Sequence, residues 1–153
     1  MTTSDHRWSS VSKREAGAVG VTTAKDAFRR AGCTIFEPEA TRTPTRFAVA
    51  RGKGPMYDIR VRTCRPPGGN YTFLTKAEMD LNESVIVVLV LLHDGESPDL
   101  YLIPSLAWHE PSSLLVDRDY EGLASAPEWG VSLSGKSMEL ASGFAFERGV
   151  RMI

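Results

Sequence analysis

Cysteine and histidine are scarce in these 153 residues, and the scarcity sets the first limits. The two cysteines, Cys33 and Cys64, form neither a CxxC pair nor a metal-ligand spacing, so no metal site is expected of them. A bridge between them requires Cα atoms within about 7 Å, which sequence leaves open. They read as small residues of a cytoplasmic protein. Long apolar runs are missing too. The longest, Val85–Leu92, falls far short of the roughly 20 residues that cross a bilayer, so no membrane association is expected. The opening Met1-Thr-Thr-Ser-Asp-His6 lacks a basic region followed by an apolar core, and no signal peptide is expected. Repeats, low-complexity tracts and linkers are absent as well. One domain is expected over residues 11–153, with a disordered N-terminus at 1–10.

Acids are nearly missing from one stretch and bases from another. Between Arg42 and Arg65 stand Arg42, Arg46, Arg51, Lys53, Arg60, Arg62 and Arg65 against the single acid Asp58. From Ala77 to Trp129 the only base is Arg118, among carboxylates that run from Glu78 to Glu128. The formal net charge of −1 conceals this split. It points to an anionic partner for the basic half. Mutual neutralisation of the two halves within one fold is the alternative, and both stand at this point.

What is present reads as helix followed by strands. Ser12 is placed to cap a helix from Lys13 to Ala31 that Gly32 closes. Its apolar members Ala16, Val19, Ala24, Ala27, Phe28 and Ala31 leave Lys13, Arg14, Arg29 and Arg30 for solvent or a ligand. Gly17 and Gly20 each weaken a helix by about 1 kcal/mol relative to alanine, so they are expected to permit close packing on a sheet. Strands are expected at Cys33–Glu37, Arg46–Arg51, Tyr57–Thr63, Tyr71–Leu74, Val85–Leu92 and Leu100–Ile103, with shorter ones at Leu114–Val116 and Val131–Leu133. Pro38–Pro44 reads as a loop, and Gly52-Lys-Gly-Pro55 as the turn of a hairpin. Val85–Leu92, apolar throughout, is the expected central strand. A short terminal helix capped by Ser134 or Ser137 ends the chain. The class is α/β or α+β: a mixed sheet, a leading helix, a short C-terminal helix, and two or three layers.

Tyr57–Thr63 alternates Tyr57, Ile59 and Val61 with Asp58, Arg60 and Arg62, so one face of this strand is wholly polar. Gly17-Ala-Val-Gly20 on the helix, Arg46-Phe-Ala-Val49 and Ile59-Arg-Val-Arg-Thr63 on the hairpin, and Leu100-Tyr-Leu-Ile-Pro-Ser105 together resemble the PD-(D/E)XK nuclease superfamily, in its restriction-endonuclease-like and Holliday-junction-resolvase-like branch. The likeness spans most of residues 13–105. It implies an acid on the helix, an Asp on the first hairpin strand and a Glu/Gln-x-Lys on the second. These gather Mg²⁺ to polarise a phosphate and activate water.

This chain departs from that pattern at each place. Val21 follows Gly20, Thr45 or Arg46 stands at the Asp position, and Arg60 and Arg62 replace Glu/Gln and Lys. Arginine has no lone pair for a hard cation. The resemblance therefore implies a nuclease-like domain without a metal site or cofactor. A relocated cluster of Asp58 with Glu37, Glu39 or Glu15 would restore Mg²⁺ and cutting.

Three functions follow as expectations. The first is nucleic-acid binding through Arg46, Arg51, Lys53, Arg60, Arg62 and Arg65, whose guanidinium groups suit phosphate oxygens. The second is a protein-interaction or regulatory module, with a protein partner or homodimer on the basic face or on the late aromatics Trp108, Tyr120, Trp129, Phe144 and Phe146. The third is an active Mg-dependent endonuclease. His93 beside Asp94 reads as a strand-end hydrogen bonder before it reads as a base. His109, in Trp108-His-Glu110, matches no metal spacing. Ser134-Gly-Lys-Ser137 reads as a helix cap rather than a phosphate loop.

Overall fold

The computed structural model describes residues 7–37, 45–68 and 70–153. Helix α1 (Lys13–Arg30) starts where the Ser12 hydroxyl accepts from the Glu15 N–H at 3.1 Å, and it finishes on Arg29 and Arg30. A side-chain cap at the first turn and cations at the last both suit the helix dipole. Gly32, at φ +90°, takes the left-handed turn that ends it. Ala16, Gly20, Val21, Ala24 and Phe28 form its buried face.

The strands are β1 (Thr34–Phe36), β2 (Arg46–Ala50), β3 (Tyr57–Cys64), β4 (Tyr71–Thr75), β5 (Val85–Leu91), β6 (Asp99–Pro104), β7 (Leu115–Arg118) and β8 (Glu128–Ser132). They form two sheets where the sequence suggested one. Five strands run in the order β1-β2-β3-β5-β6, and three in the order β4-β8-β7. The β2–β3 hairpin pairs antiparallel, with Arg46 opposite Arg60. β3 and β5 run parallel, and every other neighbouring pair of strands is antiparallel. β5 is buried along its whole length, as its apolar run predicts. The middle position nevertheless belongs to β3, because β6 hydrogen-bonds along the far side of β5.

Three layers result. Phe28, Phe47, Val49, Ile59, Val61 and Val88 belong to the core between α1 and the five-stranded sheet. Leu74, Val87, Leu89, Leu91, Trp108 and Val131 belong to the core between the two sheets. The indole N–H of Trp108 donates to the Gly130 carbonyl at 3.0 Å, and that of Trp129 to the Met79 carbonyl at 3.0 Å. Most of the late aromatic mass is thus committed inward. Phe146 meets Phe28 edge-on, with ring centroids 4.9 Å apart.

Cys33 and Cys64 belong to the two different cores, are both buried, and are both free thiols. Burial pushes the Cys64 thiol up to about 11.

The chain ends in two short helices, α2 (Ser137–Ala141) and α3 (Phe146–Gly149), with 3-10 turns after each. Neither serine caps α2 through its side chain. The Ser137 hydroxyl instead donates to the Ser132 carbonyl at 2.6 Å. Of the N-terminal ten residues, 1–6 lie outside the described ones, as does the expected loop at 38–44. Trp8–Ser10 form a 3-10 turn. Among the described residues no helix is long and apolar enough to cross a membrane.

Candidate nucleic-acid interface

The polar face of β3 turns away from α1, toward the side of the sheet that carries the second core. Because Arg46 lies directly opposite Arg60 across the hairpin, it shares that face. Asp58 is enclosed by arginines. It accepts from Arg46 Nη2 at 2.8 Å and from Arg60 Nη2 at 3.1 Å and Nε at 3.3 Å. Arg60 is only 7% exposed, and its remaining Nη1 donates to the Glu78 carbonyl.

Arg62 donates through Nε to the Phe73 carbonyl at 2.9 Å, and through Nη1 to its own neighbour's carbonyl at Val61. Its Nη2 meets the Glu78 carboxylate at 2.6 Å. Burial lowers its pKa, the Glu78 carboxylate opposes that shift, and a guanidinium remains protonated regardless. The arginine row therefore sews β4 and the turn that follows it onto β3.

The other bases of the basic half divide by what their partners are. Arg51 closes the end of α1 and the C-terminal turn, donating to the carbonyls of Ala31, Val150 and Ile153. Arg65 Nη1 donates to the carbonyls of Trp8 and Val11 at 3.1 and 2.6 Å. Carbonyl partners satisfy Arg65 without cancelling its charge, whereas Asp58 and Glu78 neutralise Arg46, Arg60 and Arg62. Lys53 is exposed in the hairpin turn and has no ion pair among the described residues.

The carboxylates proposed for a relocated metal cluster sit apart. Glu37 is exposed beyond β1, where the hydrogen bond and charge of Lys25 hold its carboxyl below the usual range. Glu15 is exposed in the first turn of α1. Glu39 lies outside the described residues. Among the described residues no three His, Cys, Asp or Glu side chains gather as a metal-holding group. His93 is half-buried, its Nε2 3.5 Å from the Asp99 carboxylate, and His109 is exposed at the end of a 3-10 turn.

A cleft of about 1080 Å³ opens at the carboxyl ends of β3 and β5. Its origin is topological. After β3 the chain leaves for the second sheet, and after β5 it turns back into β6, so the two connections part above a parallel pair. Such divergence is where open mixed sheets form ligand crevices. One wall is α1 with Lys13 and Gly17, and another is β4 with Phe73. Thr45, Arg62 and Arg65 lie between them, and the His93–Glu96 loop forms the far rim.

Lys13 is exposed and makes no ion pair among the described residues. Phe73 is 45% exposed, and sequence reasoning passed over it. The available signal was the alternation Tyr71-Thr-Phe73, which puts two aromatics on one face of a strand.

The N-terminal turn is tethered at the rim of this cleft. The Ser9 N–H and hydroxyl both donate to the Asp94 carboxylate, which holds its pKa below the ordinary range. A carboxylate with a lowered folded-state pKa adds stability above its unfolded value, and that stability disappears as pH falls through the folded one. Protection of the Trp8 segment from proteolysis is therefore expected to be flat from pH 8 to pH 5. It should fall below about pH 4. A transition near pH 6–7 instead would assign the tether to a histidine.

Comparison of the chain with protein-family models, with curated proteins and with solved structures gives no match.

Proposed function

We propose that this chain is a nuclease-like domain that holds nucleic acid in the α1–β3–β4 cleft without cutting it. The observation that carries the proposal is the composition of that cleft. Of the positions where the resemblance expects carboxylates and a lysine around Mg²⁺, those that line the cleft carry Thr45 and Arg62, flanked by Lys13 and Arg65, while Asp94 and Glu96 stand on its far rim. Lys13 and Arg65 retain charge that no carboxylate neutralises among the described residues. Guanidinium and ammonium groups so placed attract phosphate oxygens. Asp58, the one acid of β3, is occupied by Arg46 and Arg60 and is no hard-cation ligand in that setting.

The test is a binding titration with labelled oligonucleotides at low ionic strength, beside a Lys13→Glu variant. Glutamate in the first turn favours the helix dipole, so the variant folds. A reversed charge at one phosphate contact is expected to weaken binding by about tenfold. In parallel, plasmid incubated with Mg²⁺ or Mn²⁺ is expected to remain intact. Cleavage that is lost in Asp58→Ala would replace the proposal by the active-endonuclease alternative.

A further inference from the structure

Phe73 is a large apolar side chain left half in solvent on a strand that lines the cleft. Its neighbour Tyr71 shows why the ring can stay there as a rigid surface. The Tyr71 hydroxyl donates to the buried Glu128 carboxylate, and the Arg118 guanidinium lies 4.6 Å from the Tyr71 ring centroid. Gly130 beneath it is required: a Cβ at that position would stand 2.0 Å from the Tyr71 oxygen and 2.6 Å from Cζ. Tyr71 is thus fixed on three sides. Phe73 stacks on it at 27° with centroids 6.2 Å apart and remains 45% exposed. Burial, then the bond to Glu128, raises the Tyr71 pKa, so the phenol stays protonated and the clamp holds across the physiological range.

We infer that the cleft takes an unpaired stretch of nucleic acid, with one base laid on the exposed ring of Phe73 and its flanking phosphates at Lys13 and Arg65. The inference rests on the proposed function and specifies its substrate. The exposed ring of Phe73 selects single strands. A ring can stack only on a base whose own face is free, and in a duplex both faces are covered by neighbouring pairs. Aromatic and cation together are the elements of sequence-tolerant single-strand binding.

The experiment uses the full chain, an oligothymidylate, a hairpin duplex of equal nucleotide count, and a single strand carrying 2-aminopurine. The wild-type protein is expected to bind the single strand at least tenfold more tightly than the hairpin and to change 2-aminopurine fluorescence on binding. Phe73→Leu keeps an apolar side chain at an exposed position but removes the ring. It is expected to lose about tenfold in single-strand affinity together with the fluorescence change. Equal affinity for hairpin and single strand, or an unchanged Phe73→Leu variant, overturns the inference while leaving the proposed function standing. Absence of binding to either nucleic acid by the wild-type protein overturns both.

Discussion

Arg60→Ala is expected to destabilise the fold by about 1–3 kcal/mol, the cost of stripping a charged donor from partly buried acceptors. Arg60 is the least exposed arginine of the β3 row, and the change strips two kinds of bond at once. Asp58 is left with Arg46 alone, and the Glu78 carbonyl loses its guanidinium donor. The contrast is Arg46→Ala on the same face. Arg46 is 43% exposed at the side chain, so water replaces it and the loss stays within about 1 kcal/mol. Urea denaturation followed by circular dichroism measures both. A loss under 1 kcal/mol for Arg60 would mean that the row is solvated surface rather than the seam between β3 and the β4 turn.

The second large effect separates two glycines three residues apart on α1. Gly20→Ala is expected to destabilise by about 1–3 kcal/mol, the range for overpacking a core contact. Its Cβ would lie 1.9 Å from Thr63 Oγ1, with Thr63 Cβ and Cγ2 at 3.1 and 3.2 Å behind it, so turning the threonine removes the worst clash but leaves the site overpacked. Gly17→Ala meets nothing within 4 Å and is expected to stabilise by about 1 kcal/mol through helix propensity. Thermal unfolding of the two variants should therefore shift in opposite directions. Adding Thr63→Ala to Gly20→Ala should restore part of the loss. Shifts of equal sign would mean that α1 does not rest on β3 through Gly20.

These pairs show what the sequence conveys and where it stops. Helix α1, the hairpin and the buried β5 follow from capping, alternation and an unbroken apolar run, all of which are local. The close approach at Gly20 is legible as a glycine inside a helix, although its partner Thr63 is not. The second sheet pairs Tyr71–Thr75 with Glu128–Ser132, more than fifty residues away, and no local pattern marks that register. The arginines of β3 stood out as a row, but half of their bonds go to backbone carbonyls, of Glu78, Phe73 and Val61, which carry no residue-type signature. A basic strand thus reads from sequence as a surface for an anion, while in the fold most of its donors face inward. Lys13 and Phe73, separated by the whole hairpin, acquire meaning only because the cleft brings their elements together.

That division of labour among the cations is most directly tested by the salt dependence of oligonucleotide binding. With Lys13 and Arg65 as the two cations that meet phosphates, the plot of log affinity against log salt concentration is expected to have a slope of about −1.4 for a single strand. An arginine face engaging all six of Arg46, Arg51, Lys53, Arg60, Arg62 and Arg65 would give a slope of about −4. The shallow slope, reduced further in Lys13→Glu, is the predicted result. A steep slope unaffected by Lys13→Glu, or no binding at low salt, would contradict it.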